Sequence, residues 1–148
     1  MIKFTLDLIP QTMQSESRVG AVKTKTGKLR GMVFSTKKKK DYLAQIALLA
    51  RPYAPREPWE GPIHLELLFV LPRPKYAMHK SYNDGLIWAP VQSDLTNLEK
   101  ACEDGLTGAG FWKNDGQVVR KKSRKVFAEK TGFPRFEVAI DELGGPLL

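Results

Sequence analysis

The segment from Ile63 to Leu71 constrains the fold of this chain more than any other. In an extended chain, successive side chains point to opposite faces, so the odd-numbered positions form an entirely apolar face. The opposite face is partly apolar, because Leu68 and Val70 follow His64 and Glu66. A strand of this kind is typical of the middle of a sheet, where both faces are at least partly covered. We therefore predict a central β-strand here.

Periodicity and turn residues predict the remaining elements around this strand. They are a strand at 2–8, a short strand at 31–35, a helix from an N-cap at Ser35 or Thr36 to about Arg51, a helix from Asp94 to about Leu106, a strand at 117–127 and a last strand with Phe136, Val138 and Ile140 facing inward. This order predicts an α+β fold, in which residues 1–148 form one two-layer domain. Two main helices should cover one face of a mostly antiparallel or mixed sheet. Segments 10–30 and 72–92 are expected to be mobile loops, with a loose hairpin as the alternative for the first.

The charge balance indicates the class of partner. The chain has 24 Lys and Arg residues against 16 Asp and Glu residues, a formal charge of +8, which favours a polyanion, nucleic acid first. One cysteine, Cys102, excludes an intramolecular disulfide framework and a zinc site of several thiolates. No apolar run approaches the roughly 20 residues that span a membrane, and the N-terminus lacks the apolar core of a signal peptide. We expect a cytoplasmic protein with no membrane association and no small-molecule cofactor.

Three basic segments predict binding of an extended polyanion. The first is a lysine run in the first turn of the first predicted helix, where backbone N–H groups are also available to phosphate. The second lies on the strand at 117–127, and the third, with Arg18, Lys23, Lys25, Lys28 and Arg30, lies in the early loop. The candidate DNA-binding residues are Lys37, Lys38, Lys39, Lys40, Arg120, Lys122 and Arg124. A solvated surface turn and protection of an edge strand by lysine are the structural alternatives.

Residues 93–119 carry the candidate chemistry. On a helical wheel, Leu95, Leu98, Cys102, Gly105 and Leu106 face the core, whereas Asn97, Lys100 and Asp104 lie on the opposite side. Cys102 is therefore expected in the core rather than as a nucleophile.

Two aspartates flank this helix. Asp94 opens it and Asp115 follows the turn after it, so Asp115 can approach Asp94 if the helix and the next strand are neighbours. Two converging carboxylates suit Mg²⁺, which can assist phosphate hydrolysis. Each residue also has a structural interpretation: an N-cap for Asp94, a turn residue for Asp115, and an i,i+4 ion pair between Lys100 and Asp104.

The same segment resembles the signature of RusA-type Holliday junction resolvases. In that family a D-L-D-N-L-x-K run opens a helix, and a G-x-W/Y turn and D-D-x-Q-V lead into a strand. The matching residues are Asp94, Leu95, Asn97, Leu98, Lys100, Asp104, Leu106, Gly110, Trp112, Asp115, Gln117 and Val118. The resemblance implies a RusA-like domain that forms a homodimer and nicks opposite strands of a four-way junction.

The resemblance also implies residue roles and a cofactor. Asp94 and Asp115 would be ligands of Mg²⁺, with Mn²⁺ as an alternative metal, and Asn97 and Asp104 would support them. Because two acidic positions of the family are neutral here, Asp104 or Glu103 is the candidate third ligand. Lys100 would act at the scissile phosphate, with hydrolysis leaving a 5′-phosphate.

Two positions depart from the family pattern, because Thr96 and Asn114 stand where acidic residues are usual. We predict a metal-dependent endodeoxyribonuclease that resolves branched DNA in recombination and repair. The alternatives are a non-catalytic branched-DNA-binding protein of the same fold, which Thr96 and Asn114 favour, and a basic RNA-binding domain.

Overall fold

A five-stranded mixed sheet forms the centre of the protein. The computed structural model describes residues 1–144 apart from 14–16, 24, 26 and 28, and within 17–23 and 29–35 it describes the backbone only. The strands are β1 (Ile2–Leu6), β2 (Ser17–Lys23), β3 (Leu29–Ser35), β4 (Ile63–Leu71), β5 (Ile87–Trp88), β6 (Val118–Phe127) and β7 (Arg135–Glu142), and the helices are α1 (Lys37–Ala50) and α2 (Leu95–Ala109). The large sheet has the order β1-β7-β4-β6-β5, so the predicted central strand, β4, lies in its middle.

The large sheet contains both parallel and antiparallel strand pairs. β4 pairs antiparallel with β7 and parallel with β6, and the edge strands β1 and β5 are both antiparallel to their neighbours. Since parallel neighbours need a long crossover, the chain between β4 and β6 leaves the sheet and returns through α2. The predicted α+β fold with a mixed sheet is confirmed.

Both helices pack on the face of β4 formed by its odd-numbered residues. Ile63, Leu65, Leu67 and Phe69 share one core cluster with α1 and α2, which contribute Ile46 and Leu106 among others. We call this the helical side of the sheet. The other face carries the even-numbered residues of β4 and is called the open face below. Cys102 is fully buried in the core, as predicted, and burial raises the pKa of its thiol.

The two helices approach each other closely at Gly105. A Cβ atom built there would lie 2.4 Å from Cγ2 of Ile46. Glycine therefore permits the two helices to pack closely here. α2 continues to Ala109, three residues beyond the predicted end near Leu106. The helix ends at Gly110, whose φ of 93° requires the left-handed conformation that glycine adopts readily.

The segments predicted as loops contain more structure than expected. β2 and β3 form a separate antiparallel hairpin, so the hairpin alternative is confirmed and β3 begins two residues before the predicted strand at 31–35. Within 72–92, the Arg73 guanidinium donates hydrogen bonds to the carbonyl oxygens of Ala77, Asn83, Gly85 and Ala128. Mobility of these segments stays a prediction. Among the described residues, no helix is long and apolar enough to cross a membrane.

Candidate active site

Lys100 lies between two carboxylates on the solvent side of α2. Its Nζ atom is 3.0 Å from Oδ1 of Asp104, one helical turn later, and 3.1 Å from Oδ2 of Asp115, beyond the turn. The hydrogen bonds to Asp104 and then Asp115 raise the pKa of Lys100, and the bond from Lys100 lowers the pKa of Asp115. Lys100 and Asp115 are therefore both charged near neutral pH.

A chain of buried and half-buried groups holds Asp115 in this position. The indole N–H of Trp112, which is 1% exposed, donates to Oγ1 of Thr107 at 2.8 Å. The Thr107 hydroxyl in turn lies 3.1 Å from Oδ1 of Asp115 and 2.8 Å from the carbonyl oxygen of Glu103. Thr107 was not predicted as a site residue, because its contact with Asp115 depends on how the chain folds back after α2. Trp112 was the available signal, since a buried indole usually needs an acceptor.

The turn before β6 is fixed by side-chain amides. Asn114 caps the short 3₁₀ turn Asp115–Gln117 by accepting from the N–H of Gly116. The Gln117 oxygen accepts from the N–H groups of Lys113 and Asn114, and its NH₂ group donates to the carbonyls of Trp59 and Gly61. Asn114, which stands at a usually acidic position of the family pattern, thus has a structural role as the cap of the turn that carries Asp115.

Asp94 lies at the other end of α2. It is the N-cap residue, and its Oδ1 accepts from the N–H of Thr96 at 2.8 Å. About 20 Å of helix axis separates residue 94 from Thr107, which contacts Asp115, at 1.5 Å per residue. The expectation that Asp115 approaches Asp94 is therefore wrong within one chain, because the turn folds back along the C-terminal half of α2. Asp115 instead shares the Lys100 ammonium with Asp104, and the role of Asp94 as a metal ligand stays a prediction.

A groove lies beside this cluster, between α2 and the first turn of α1. It has a volume of about 250 Å³ and is lined by Lys39, Thr96, Asn97, Lys100 and Asp104, with Met13 and Ala101. Of the two predicted N-cap residues, Ser35 and Thr36, the structure shows Thr36 at the N-cap of α1. Its side-chain oxygen accepts a hydrogen bond from the N–H of Lys39 at 3.3 Å. The structure thus brings one residue of the predicted lysine run, Lys39, into the same groove as Lys100 and Asp104.

The basic residues of β6 are divided between the two faces of the sheet. Lys121 points to the helical side, where its Nζ lies 2.9 Å from Glu99 and 3.1 Å from Glu103 on α2. Arg120, Lys122 and Arg124 alternate with it and lie on the open face, next to the even-numbered residues of β4. The face expected near Asp115 is therefore the one with Lys121, and the three predicted DNA-binding residues of β6 lie across the sheet from α2.

Asp104 and Asp115 could hold a divalent cation as two of its ligands. Oxygens of Asp104 and Asp115 already converge on one cationic atom, Lys100 Nζ, and Mg²⁺ is often held by one or two carboxylates together with substrate phosphates. Among the residues that the structure describes, no group of three or more His, Cys, Asp and Glu side chains could hold a metal ion. A cation held here would therefore depend on phosphate oxygens for part of its coordination.

Comparison with known proteins supports the resemblance. The model of the family described as endodeoxyribonuclease RusA matches residues 10–141. Curated proteins named crossover junction endodeoxyribonuclease RusA, from Escherichia coli (strain K12), Shigella sonnei (strain Ss046) and Enterobacteria phage 82, are each 49% identical to this chain over 51 residues. The matched stretch covers 34% of this chain and 41% of each relative, so the chain spans about two fifths of the length of the curated relatives it matches.

Proposed function

The chain belongs to the RusA endodeoxyribonuclease family, and we propose that it cuts branched DNA, four-way junctions in particular, by metal-dependent phosphodiester hydrolysis. One observation carries the proposal. Lys100 joins Asp104 and Asp115 at the edge of a groove that also contains Lys39. Carboxylates that can hold a cation thus lie beside ammonium groups that can bind the phosphates of the same DNA strand.

The roles of the residues follow from these contacts. Asp104 and Asp115 would hold Mg²⁺ or Mn²⁺, which when bound supplies Lewis-acid stabilisation and a more acidic water. Thr107 and Trp112 keep Asp115 oriented through their hydrogen bonds. With a cation held by Asp104 and Asp115, the Lys100 ammonium would be available to bind a phosphate oxygen in the groove and would offset the negative charge of the transition state.

The lysine run supplies the binding surface on this side of the molecule. Lys37, Lys38 and Lys40 are exposed in the first turn of α1, next to Lys39 in the groove. Phosphates of the scissile strand would contact these side chains together with the N-terminal N–H groups of α1. A homodimer would place two such grooves about a twofold axis, as two symmetric cuts at a junction require. Such an activity would serve recombination and repair.

The decisive experiment is nicking of an end-labelled four-way junction with and without Mg²⁺ or Mn²⁺. We expect nicks only with metal, and a loss of about 100-fold or more in rate for Asp115→Asn, because this substitution removes a metal ligand. The matched control is Asp7→Asn, which neutralises an exposed carboxylate just after β1. Binding of the junction without nicks under all metal conditions would contradict the proposal and would instead support a non-catalytic junction-binding protein.

Asp94→Asn tests the predicted ligand at the far end of α2. Asparagine caps a helix about as well as aspartate, so the variant should keep its melting temperature while losing the charge. We propose that nicking falls, since the family resemblance makes Asp94 a ligand. Unchanged nicking in a folded variant would assign Asp94 to capping alone.

A further inference from the structure

The open face of the sheet contains a second basic groove, on the opposite side from α2. It has a volume of about 390 Å³, and its charged lining residues are Lys3, Glu66, Lys122, Arg124 and Glu137. The first of these lies on β1, and the register through β7 and β4 places it in one row with Lys122 on β6. Three strand spacings separate the two lysines, about 14 Å. The cations therefore line both sides of the groove.

Both carboxylates of this groove already have other partners. His64 lies 3.1 Å from Oε1 of Glu66, and Arg135 donates to Oε2 of Glu137 at 2.9 Å. The hydrogen bond from His64 lowers the pKa of Glu66. Lys122 and Lys3 attract Glu66 only at longer range, which lowers its pKa further, and Lys3, Lys122 and Arg124 form no salt bridge with any described residue. The cations outnumber the carboxylates and remain available to an external anion.

An exposed tryptophan lies on the same face of the sheet as this groove. Trp88 on the edge strand β5 pairs with Val126, and cross-strand partners point to the same face. Val126 packs with Leu68 and Val70, which places Trp88 on the open face, diagonal to Arg124 at roughly 7–8 Å. The Trp88 side chain is 69% exposed, whereas Trp59 packs against the core. Anchoring of a loop therefore accounts for Trp59 and does not account for Trp88.

We propose that the open face binds an unpaired DNA strand, with phosphates on Lys3, Lys122 and Arg124 and a base stacked on Trp88. Cations along a groove combined with an exposed aromatic ring are the means by which proteins hold single strands without reading their sequence. The inference rests on the proposed function in one respect, the choice of DNA as the polyanion. Strands that open at a branch point would supply such a segment, on the side of the sheet away from the candidate active site.

The test measures binding of a fluorescein-labelled dT₂₀ oligonucleotide by anisotropy, without divalent cations and at several salt concentrations. Lys122→Gln/Arg124→Gln should reduce the slope of log affinity against log salt by about 1.4, from about 0.7 for each phosphate contact on a single strand. The matched control, Lys75→Gln/Lys80→Gln, removes two exposed cations from the segment after β4 and should leave the slope unchanged. Trp88→Ala should weaken binding about tenfold, while Trp88→Phe, which keeps an aromatic face, should retain most of the affinity.

Three outcomes would overturn the inference. They are an unchanged slope in the β6 variant, equal losses in the β6 variant and the control, and unchanged affinity in Trp88→Ala. If the β6 variant loses affinity for a blunt duplex as well and Trp88→Ala has no effect on either DNA, the face binds duplex arms instead. Junction nicking by the unmodified protein is scored separately. A negative result for dT₂₀ binding therefore does not affect the conclusion on nicking, and a negative result for nicking does not affect the conclusion on dT₂₀ binding.

Discussion

The candidate active site and the groove of the open face use basic residues in different ways. On the helical side, Lys100 and Lys121 each contact two carboxylates, whereas on the open face Lys3, Lys122 and Arg124 form no salt bridge with a described residue. A single strand, β6, contributes to both arrangements, because alternate side chains point to opposite faces. The difference indicates that paired cations build and position a site, while unpaired cations are left for binding an anion.

The largest effect is expected when the Lys100 ammonium is removed from between Asp104 and Asp115. In Lys100→Met, nicking should fall about 100-fold or more, since a charge that stabilises the transition state is lost. The midpoint of a Mg²⁺ titration should nevertheless fall, because the ammonium no longer competes for Asp104 and Asp115. The matched control is Lys121→Met, which removes a cation from two carboxylates outside the groove and should nick at nearly the normal rate. Parallel losses of metal binding and nicking in Lys100→Met would contradict the competition between Lys100 and metal.

Disturbing the close contact between α1 and α2 should destabilise the protein without changing DNA binding by the open face. Gly105→Ala places a methyl group against Ile46, and such overpacking typically costs about 1–3 kcal/mol in the free energy of unfolding. Gly108→Ala is the control, since its Cβ would lie 3.6 Å from that of Ala47, an ordinary contact. Thermal melting should separate the two variants. Below its melting temperature, Gly105→Ala should bind dT₂₀ normally, and a loss of that binding would show that the two faces are coupled.

Thr107 offers a sharper test of positioning on the helical side. Thr107→Val removes the hydroxyl that contacts Asp115 and accepts from Trp112, and we expect about a tenfold loss in kcat with little change in KM. Thr107→Ser keeps the hydroxyl and should restore the rate. The buried indole N–H would also lose its acceptor, so melting must be measured alongside. If the serine variant is as slow as the valine variant, the hydroxyl does not position Asp115.

Adding a carboxylate to each side should have opposite consequences. Thr96→Asp introduces a negative charge into the groove near the N-terminus of α2, where the helix dipole favours an anion, and its attraction for the cation should lower the Mg²⁺ midpoint of nicking a few-fold. Thr5→Asp adds the same charge to the open face and should weaken dT₂₀ binding without moving the Mg²⁺ midpoint. If Thr96→Asp folds but the midpoint stays constant, residue 96 does not face the metal.

The smallest expected effect is a pH dependence confined to the helical side. The hydrogen bond from Lys100 depresses the pKa of Asp115 below its ordinary value of 3.8, so its stabilisation is present above that value. It is lost as the pH falls through the lower pKa of the folded state. Because Asp115 is about half exposed, the difference in unfolding free energy between the native protein and Asp115→Asn should stay within about 1 kcal/mol. Denaturant unfolding between pH 2 and pH 7 would measure it, and a difference that grows with acid would contradict the sign.

Patterns within one element were predictable from the sequence, and contacts between elements were not. The bounds and central place of β4 follow from its own alternation, and the Lys100–Asp104 pair follows from helical spacing. The partner of Asp115 could not be read in this way, because a turn of a few residues can direct the next side chain to either end of the helix. The alternation of β6 showed which cations share a face, but only the packed structure shows that Lys121 points toward α2.

The parallel pairing of β4 with β6 has a consequence for the order of folding. Lys100 and its two carboxylates lie in the chain between these two strands, and the strands can pair only when this long loop closes, at a cost in chain entropy. An isolated α2 can bring Lys100 to Asp104 by itself, since the two residues are one turn apart. We expect Asp115 to join them when β6 docks beside β4, because Gln117 ties the turn between α2 and β6 to Trp59 and Gly61, just before β4. The complete cluster is therefore a late product of folding, and it reports whether the centre of the sheet has assembled.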